Sequence, residues 1–355
     1  MTTQVVHPEL LPFAEATGAR MAREYINRGD YFPSESWGCE GQIYPSLTGI
    51  ALLRLFQVTN NELYLKGVQS ILESNLKKQM PSGGWALSLG ATANGIKFEA
   101  SQAIIKLTAE IEDLPPTVTA LRLASEYEQL TGDTQFHSSL ELGYEYLKRY
   151  WNEKKGSFEE MLTGEALMLR ASPRDYHIYA FQCVDSLQHI FPDAKYYVTP
   201  LYSSLKSNFE AMNADTYPLL YGMHAALISK EEGSSDYVLE KIRALIDGEL
   251  ALKSRFLISA EPGALGHRDG LRGVCLDEGH LRNSIGAALA MSYFDIYVES
   301  NTYMQMELYS DLKKWIQSMY DEGKFYEFKD LSSGEKRGFG SSGQYLPIFW
   351  ILGTL

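Results

Sequence analysis

The stretch Lys77-Lys-Gln-Met-Pro-Ser-Gly-Gly-Trp85 closes one helical segment and opens a tight turn. Upstream of it, Leu65, Val68, Leu72 and Leu76 keep the three-four spacing of a single helix face. Gly83 and Gly84 let the chain bend before Trp85, and Gln79 at the helix end is placed to bond the backbone of that bend. By itself the motif is a structural staple. It recurs in weaker form at RYWNEKKGSF (149–158), after Leu140, Tyr144, Leu147 and Trp151, and at SMYDEGKF (318–325). Each unit is a helix, a polar turn with glycine and an aromatic residue. A helix cannot bury its apolar stripe alone, so such units stack as hairpins. Closing a dozen or so helices of ~12–20 residues into a ring gives an all-α α/α toroid with a central cavity. An irregular helical bundle is the alternative.

The rest of the chain fits this reading. The segment TALRLASEYEQL (119–130) is another amphipathic stretch, stopped at Gly132 in a C-cap position. No Ser/Pro-rich linker divides the 355 residues, so they read as one toroid domain over 1–355, with residues 1–34 a helical extension. Charged residues make up 22% and hydrophobic residues 45%, the balance of a globular chain and not of a disordered one. The net charge of -13 lacks the basic footprint of a nucleic-acid binder and leaves room for membrane contact through apolar surface. Three scattered cysteines, Cys39, Cys183 and Cys275, form no CxxC pair and suggest a reducing compartment. With no basic-then-apolar leader and no apolar run of ~18 residues, the expected location is cytoplasmic.

Four groups of residues carry candidate chemistry. Glu110, Glu112 and Asp113 crowd beside a helix start broken by Pro115 and Pro116. They read either as an acidic helix N-terminus or as carboxyl groups of which one stays neutral, because packed carboxylates resist joint ionisation. The segment Ser172–Tyr179 offers Asp175, Tyr176, His177 and Tyr179, with Asp175 and Tyr179 on one helix face, or else an ordinary capped start. The Gly-rich stretch 266–284 reads as a loop with His267, Arg268, Arg272, Asp277, Glu278, His280 and Arg282. Its Arg and His residues suit an anionic group; solvated loops are also often charged. Without a second His at helical spacing, no metal site is expected there. The chain has no DDxxD run, no GxGxxG, no phosphate loop and no GxSxG elbow, so no cofactor is expected.

In their order along the chain, these segments resemble the catalytic β-domain of class II terpene cyclases, the squalene–hopene cyclase family, over roughly residues 35–355. Gln79–Trp85 with Ala86-Leu87 is similar to that family's QW repeat, and Glu110-Ile-Glu112-Asp113 stands where the family places its DxDD acid motif. Arg174-Asp175-Tyr176-His177 resembles the segment that holds the acid, with Tyr179 near the family's histidine position. The resemblance implies a toroid that binds a polyprene in its centre. A neutral Asp113, with Glu112 next and Glu110 in the same cluster, protonates the terminal alkene, and successive alkenes trap the cation. The first motif positions are Glu and two prolines follow, so the identity of the donor stays open among these carboxyls. Room for a single toroid is similar to single-domain meroterpenoid cyclases of the merosterolic acid synthase kind, which implies a hydrophobic substrate such as a geranylgeranylated aromatic acid. The implied aromatic lining is Trp85, Tyr44, Tyr176, Phe339, Tyr345 and Phe349, acting by cation–π contact. His267, Arg268, Arg272 and Arg282 would grip the substrate's carboxylate. Two rivals stand beside this reading. One is a polysaccharide-active toroid enzyme, a uronate lyase or glycosidase, since Tyr, His and Arg suit β-elimination. The other is a binding toroid with no chemistry.

Overall fold

The computed structural model describes residues 5–29, 43–85, 112, 114–159, 177–211, 236, 256–269, 273–297, 302–338 and 342–354. They gather into two compact units, Gly18–Asn208 and Met1–Thr17 with Phe209–Leu355. The first helix, α1, spans Leu11–Arg28.

In the unit Gly18–Asn208, helices alternate in character. Helix α2 (Ile43–Thr59) is buried without a break from Pro45 to Leu53. Helix α4 (Leu114–Thr131) is buried from Leu114 to Ser125, and α6 (His177–Leu187) from His177 to Val184. These three pack side by side, α2 on α4 and α4 on α6. Helices α3 (Glu62–Lys78) and α5 (His137–Lys148) bury only one face, α3 against α2 and α5 against α4. A helix apolar all round must be covered on all sides, and an amphipathic one covers it. The arrangement is therefore two helical layers, inner α2, α4 and α6 under outer α3 and α5. Helix α7 (Lys195–Ala211) follows. Pro115 and Pro116 sit in the first turn of α4, where a missing N–H leaves no bond unmade, so the helix begins before them and is not broken by them.

The repeated turns take the expected form. Gln79 donates from Nε2 to the carbonyls of Gly83 and Ser139, each at 2.9 Å, and Ser139 Oγ donates back to Gln79 Oε1 at 2.5 Å. Gly83 has φ +108, and a Cβ there would lie 2.3 Å from the Leu142 carbonyl oxygen. The second turn is a hairpin of β1 (Trp151–Asn152) and β2 (Ser157–Phe158), with Trp151 opposite Phe158.

The other unit has the same grammar. Helix α8 (Leu281–Tyr297) is buried continuously from Asn283 to Asp295. It packs against amphipathic α9 (Glu307–Ser318) and against α10 (Ser342–Leu352), which is apolar from Tyr345 to Leu352 after the buried Gln344. The third repeat, β6 (Tyr320–Asp321) and β7 (Lys324–Phe325), turns through Glu322 at φ +42 and Gly323 at φ +80. Two positive φ angles are those of the type I′ turn whose twist suits a two-residue hairpin. Ahead of α1, Pro8–Leu10 forms a 3-10 helix, and the N–H groups of Val6 and His7 both donate to the Ile351 carbonyl of α10 at 3.1 Å.

A second expectation changes. The 266–284 stretch is not a loop: it folds into β3 (His267–Asp269), β4 (Gly273–Cys275), β5 (Glu278–His280) and the start of α8. β3 pairs with β4, while β5 pairs with β8 (Phe328–Asp330) and β8 with β9 (Lys336–Arg337). Among the described residues no helix is long and apolar enough to cross a membrane.

Candidate functional site

The β5–β8–β9 sheet concentrates ionisable groups in the interior of its unit. Glu278 and His280 lie two apart in β5 and so project from one face. Gly279 between them faces Trp315, and a Cβ there would come within 2.6 Å of the indole. His280 sits directly opposite Phe328 in β8, and their rings stack at 4.7 Å and 14°. His267 reaches the same cluster from β3. Gly266 before it touches the Cys275 carbonyl so closely that a Cβ would meet it at 2.1 Å. The Gly266 carbonyl accepts from Asn283 Nδ2 at 2.7 Å, and the His280 N–H donates to the Leu265 carbonyl at 2.7 Å. These backbone ties fix β3 and β5 relative to each other.

The geometry is specific. His267 Nε2 lies 3.0 Å from Glu278 Oε2, and Arg337 of β9 pairs with the other oxygen, Oε1. Glu278 is 5% exposed. Burial pushes its carboxyl up, but the hydrogen bonds and charges of His267 and Arg337 outweigh burial and hold it below the usual range. It is therefore an anion at neutral pH, and His267 Nε2 must be the donor in that bond. In a neutral imidazole the other ring nitrogen is then the acceptor. The imidazole of His280 is centred 5.3 Å from that of His267. Neither ring nitrogen of His280 makes a hydrogen bond among the described residues. Burial, then the charge of Arg282, then His267 push its pKa well below the ordinary histidine value, with Asn283 acting the other way. His280 is thus a buried neutral imidazole whose nitrogens meet no partner at full hydrogen-bond geometry, with the Asn283 side chain beside it, next to a second imidazole oriented by a carboxylate. That constellation can take up a proton at one ring and donate a hydrogen bond from the other. Among the described residues no group of three or more His, Cys, Asp and Glu is placed to hold a metal ion.

The other expected site residues are placed as follows. Glu110, Asp113, Asp175, Tyr176, Arg272 and Phe339 lie outside the described residues, as does the side chain of Arg268. Glu112 is half-buried, and its Oε1 is buried without a hydrogen bond among the described residues. Its carboxylate acts on the phenol of Tyr146, which burial, Tyr150 and Glu112 together push far up. His177 opens α6, buried, and its pKa is lowered mainly by burial. Tyr179 is buried in the same helix and Tyr44 is half-buried in α2. Trp85 is 3% exposed, with its indole N–H donated to the Asn75 carbonyl at 2.9 Å and its backbone N–H to Thr117 Oγ1 at 3.1 Å. Tyr345 and Phe349 are buried in α10, their rings edge to face at 5.6 Å. Of the expected set, the structure brings His267 and the charge of Arg282 to one place. The cluster is completed by Glu278 and His280, noted in the sequence for other reasons, and by Phe328 and Arg337. The sequence signal for the first two was the Glu-Gly-His alternation at 278–280.

No protein-family model matches the chain, and no curated protein matches it. Solved structures do. A D-mannose isomerase is 15% identical, with 96% of this chain and 97% of that one covered at a TM-score of 0.66. The cellobiose 2-epimerase of Bacillus thermoamylovorans is 10% identical, with 89% and 88% covered at 0.63. The type II terpene cyclase MstE of Scytonema is 9% identical, with 96% and 97% covered at 0.52. At such identities the likeness establishes the fold: an all-α α/α toroid, as the helix–turn–aromatic repeats implied.

Proposed function

We propose that this chain is a carbohydrate-active enzyme that works by histidine-borne proton transfer at a carbon next to a carbonyl. The observation that carries the reading is His280, a buried neutral imidazole whose nitrogens meet no partner at full hydrogen-bond geometry, 5.3 Å from the Glu278-oriented ring of His267. Glu278 orients His267 and stabilises the imidazolium that forms when its free nitrogen takes a carbon-bound proton. The electron pair left behind moves toward the carbonyl oxygen. Neutral His280 donates a hydrogen bond to that oxygen as charge develops on it. Passage of the neighbouring hydroxyl proton to that oxygen, with return of the carbon-bound proton to the adjacent carbon, isomerises an aldose to a ketose. Return to the opposite face of the same carbon inverts it, and loss of a β-substituent would give a lyase. Glu278, held ionised by His267 and Arg337, is suited to orient and not to protonate a glycosidic oxygen, as a glycosidase acid must. The names of the isomerase and epimerase that share the fold point the same way.

A second reading rests on a different observation. The buried Oε1 of Glu112, without a hydrogen bond among the described residues, suits the protonation-initiated cyclisation of a polyprenyl or geranylgeranylated aromatic substrate, with Glu110, Glu112 or Asp113 as donor. The shared fold of MstE supports it. One screen separates the two. The protein is incubated with D-mannose, cellobiose, a polyuronate, squalene and a geranylgeranylated hydroxybenzoate, and products are read by NMR and mass spectrometry. Isomerised, epimerised or eliminated sugar supports the first reading; a cyclised polyprene with inert sugars replaces it with the second.

A further inference from the structure

We infer that Arg337 is the positioning residue of this site, tied at once to both histidines. The inference rests on the proton-transfer reading for its effect on rate, but its geometry stands apart from any substrate. Glu278 is 5% exposed, and its bond to His267 uses only Oε2. A buried carboxylate is costly unless its oxygens are paired, and Arg337 pairs with Oε1. Arg337 itself lies at the rim, its side chain 52% exposed. In the β8–β9 pairing it stands opposite Phe328, and its guanidinium lies 5.3 Å from the centre of that ring. Phe328 is in turn the residue opposite His280 and stacks on it. One arm of contact therefore runs from Arg337 through Glu278 to His267. The other runs from Arg337 through Phe328 to His280.

An arginine can serve both arms because its guanidinium is planar: an edge meets the carboxylate while a face meets the ring. A lysine ammonium offers a point charge that can do the first and not the second. The consequence for chemistry is tautomeric. While Arg337 anchors the carboxylate as an anion, His267 Nε2 is the donor and its other nitrogen is the base. Without Arg337 the carboxylate loses a hydrogen bond and a positive charge that hold its pKa down, so the pKa rises and its grip on His267 loosens. The N–H then redistributes between the two ring nitrogens of His267.

The test uses the full-length protein and the variants Arg337→Gln and Arg337→Lys, with circular dichroism to confirm folding. Two-bond proton–nitrogen NMR of 15N-histidine-labelled protein at neutral pH reads the His267 tautomer directly. The expected result is a single Nε2–H form in the wild type and a mixture in Arg337→Gln. Arg337→Lys should restore the Nε2–H form while weakening the ring-current shift that Phe328 imposes on His280. On an active sugar, Arg337→Gln should lose ~10²-fold in kcat with KM changed little, and its acid limb should move to higher pH. A wild-type tautomer and an unshifted His280 in folded Arg337→Gln would overturn the proposal. Because the NMR readout needs no turnover, that outcome is distinguishable from a failure to find any sugar substrate.

Discussion

The buried histidine at the start of the chain gives the sharpest quantitative prediction. His7 is 5% exposed and tilts against Trp350 at 4.6 Å between ring centres. Its Nε2 is hydrogen-bonded to the Tyr309 hydroxyl at 2.7 Å, and that hydroxyl accepts from Trp350 Nε1 at 3.2 Å. The charges facing it are Glu9, 3.7 Å from Nδ1, and Lys313, which pairs with Glu9. Burial first, then Lys313, lowers the His7 pKa from 6.5 to about 4, against the opposing pull of Glu9. In the unfolded chain the ring protonates near its ordinary value, so between these two pH values the unfolded state binds more protons. Stability from this group is therefore complete above pH ~6.5 and is lost as pH falls toward ~4. At ~1.36 kcal/mol per pKa unit, the loss is about 3 kcal/mol. The perturbation is His7→Phe, which keeps the aromatic packing against Tyr309 and Trp350. It should cost ~1 kcal/mol at pH 7 through the lost hydrogen bond. Between pH 7 and pH 4 it should lose about 3 kcal/mol less than the wild type. Urea unfolding followed by tryptophan fluorescence at several pH values supplies both numbers, provided the denaturant slope stays constant. Parallel stability curves for the two proteins over that range would refute the assignment of the acid loss to His7.

Further predictions follow from the turns and the site. Gln79→Ala removes the bonds to Gly83, Ser139 and the Ser139 hydroxyl, and should cost roughly 2–3 kcal/mol, read as a lowered thermal midpoint. Gly83→Ala forces a Cβ against the Leu142 carbonyl at positive φ and should cost at least ~2 kcal/mol in the same assay. Glu278→Gln keeps the side chain's shape but withdraws the negative charge that orients His267. It should lower kcat on an active sugar by ~10²–10⁴-fold with the fold intact by circular dichroism.

The helical frame was legible because its signals are local. Leu65, Val68, Leu72 and Leu76 mark α3, and the Gly83–Trp85 bend is dictated by residues within one turn of each other. The extent of α4 was harder. It is buried nearly all round, so its pattern carries little amphipathic contrast, and its first-turn prolines look like a break until the helix start is known. The site was only half legible. His267, Glu278 and His280 stood out as residue types, but strands of three residues give one alternation each, too short to separate from a Gly-rich loop. Arg337 was invisible, because its pairing with Glu278 spans 59 positions and exists only through the β5–β8–β9 register. The acid motif implied by family resemblance puts its first choice at Asp113, which lies outside the described residues.

In the proposed reaction His280 and His267 move a carbon-bound proton of a sugar. Its most direct test is solvent exchange. The protein is incubated in D2O with D-mannose and with cellobiose, and the proton at the carbon next to the reducing carbonyl is followed by NMR. Deuterium uptake at that carbon is expected with the wild-type protein, accompanied by isomerised or epimerised sugar, and none above background with folded His280→Gln. Exchange that is equally fast in His280→Gln, or no exchange with either sugar while a geranylgeranylated hydroxybenzoate is cyclised, would contradict it.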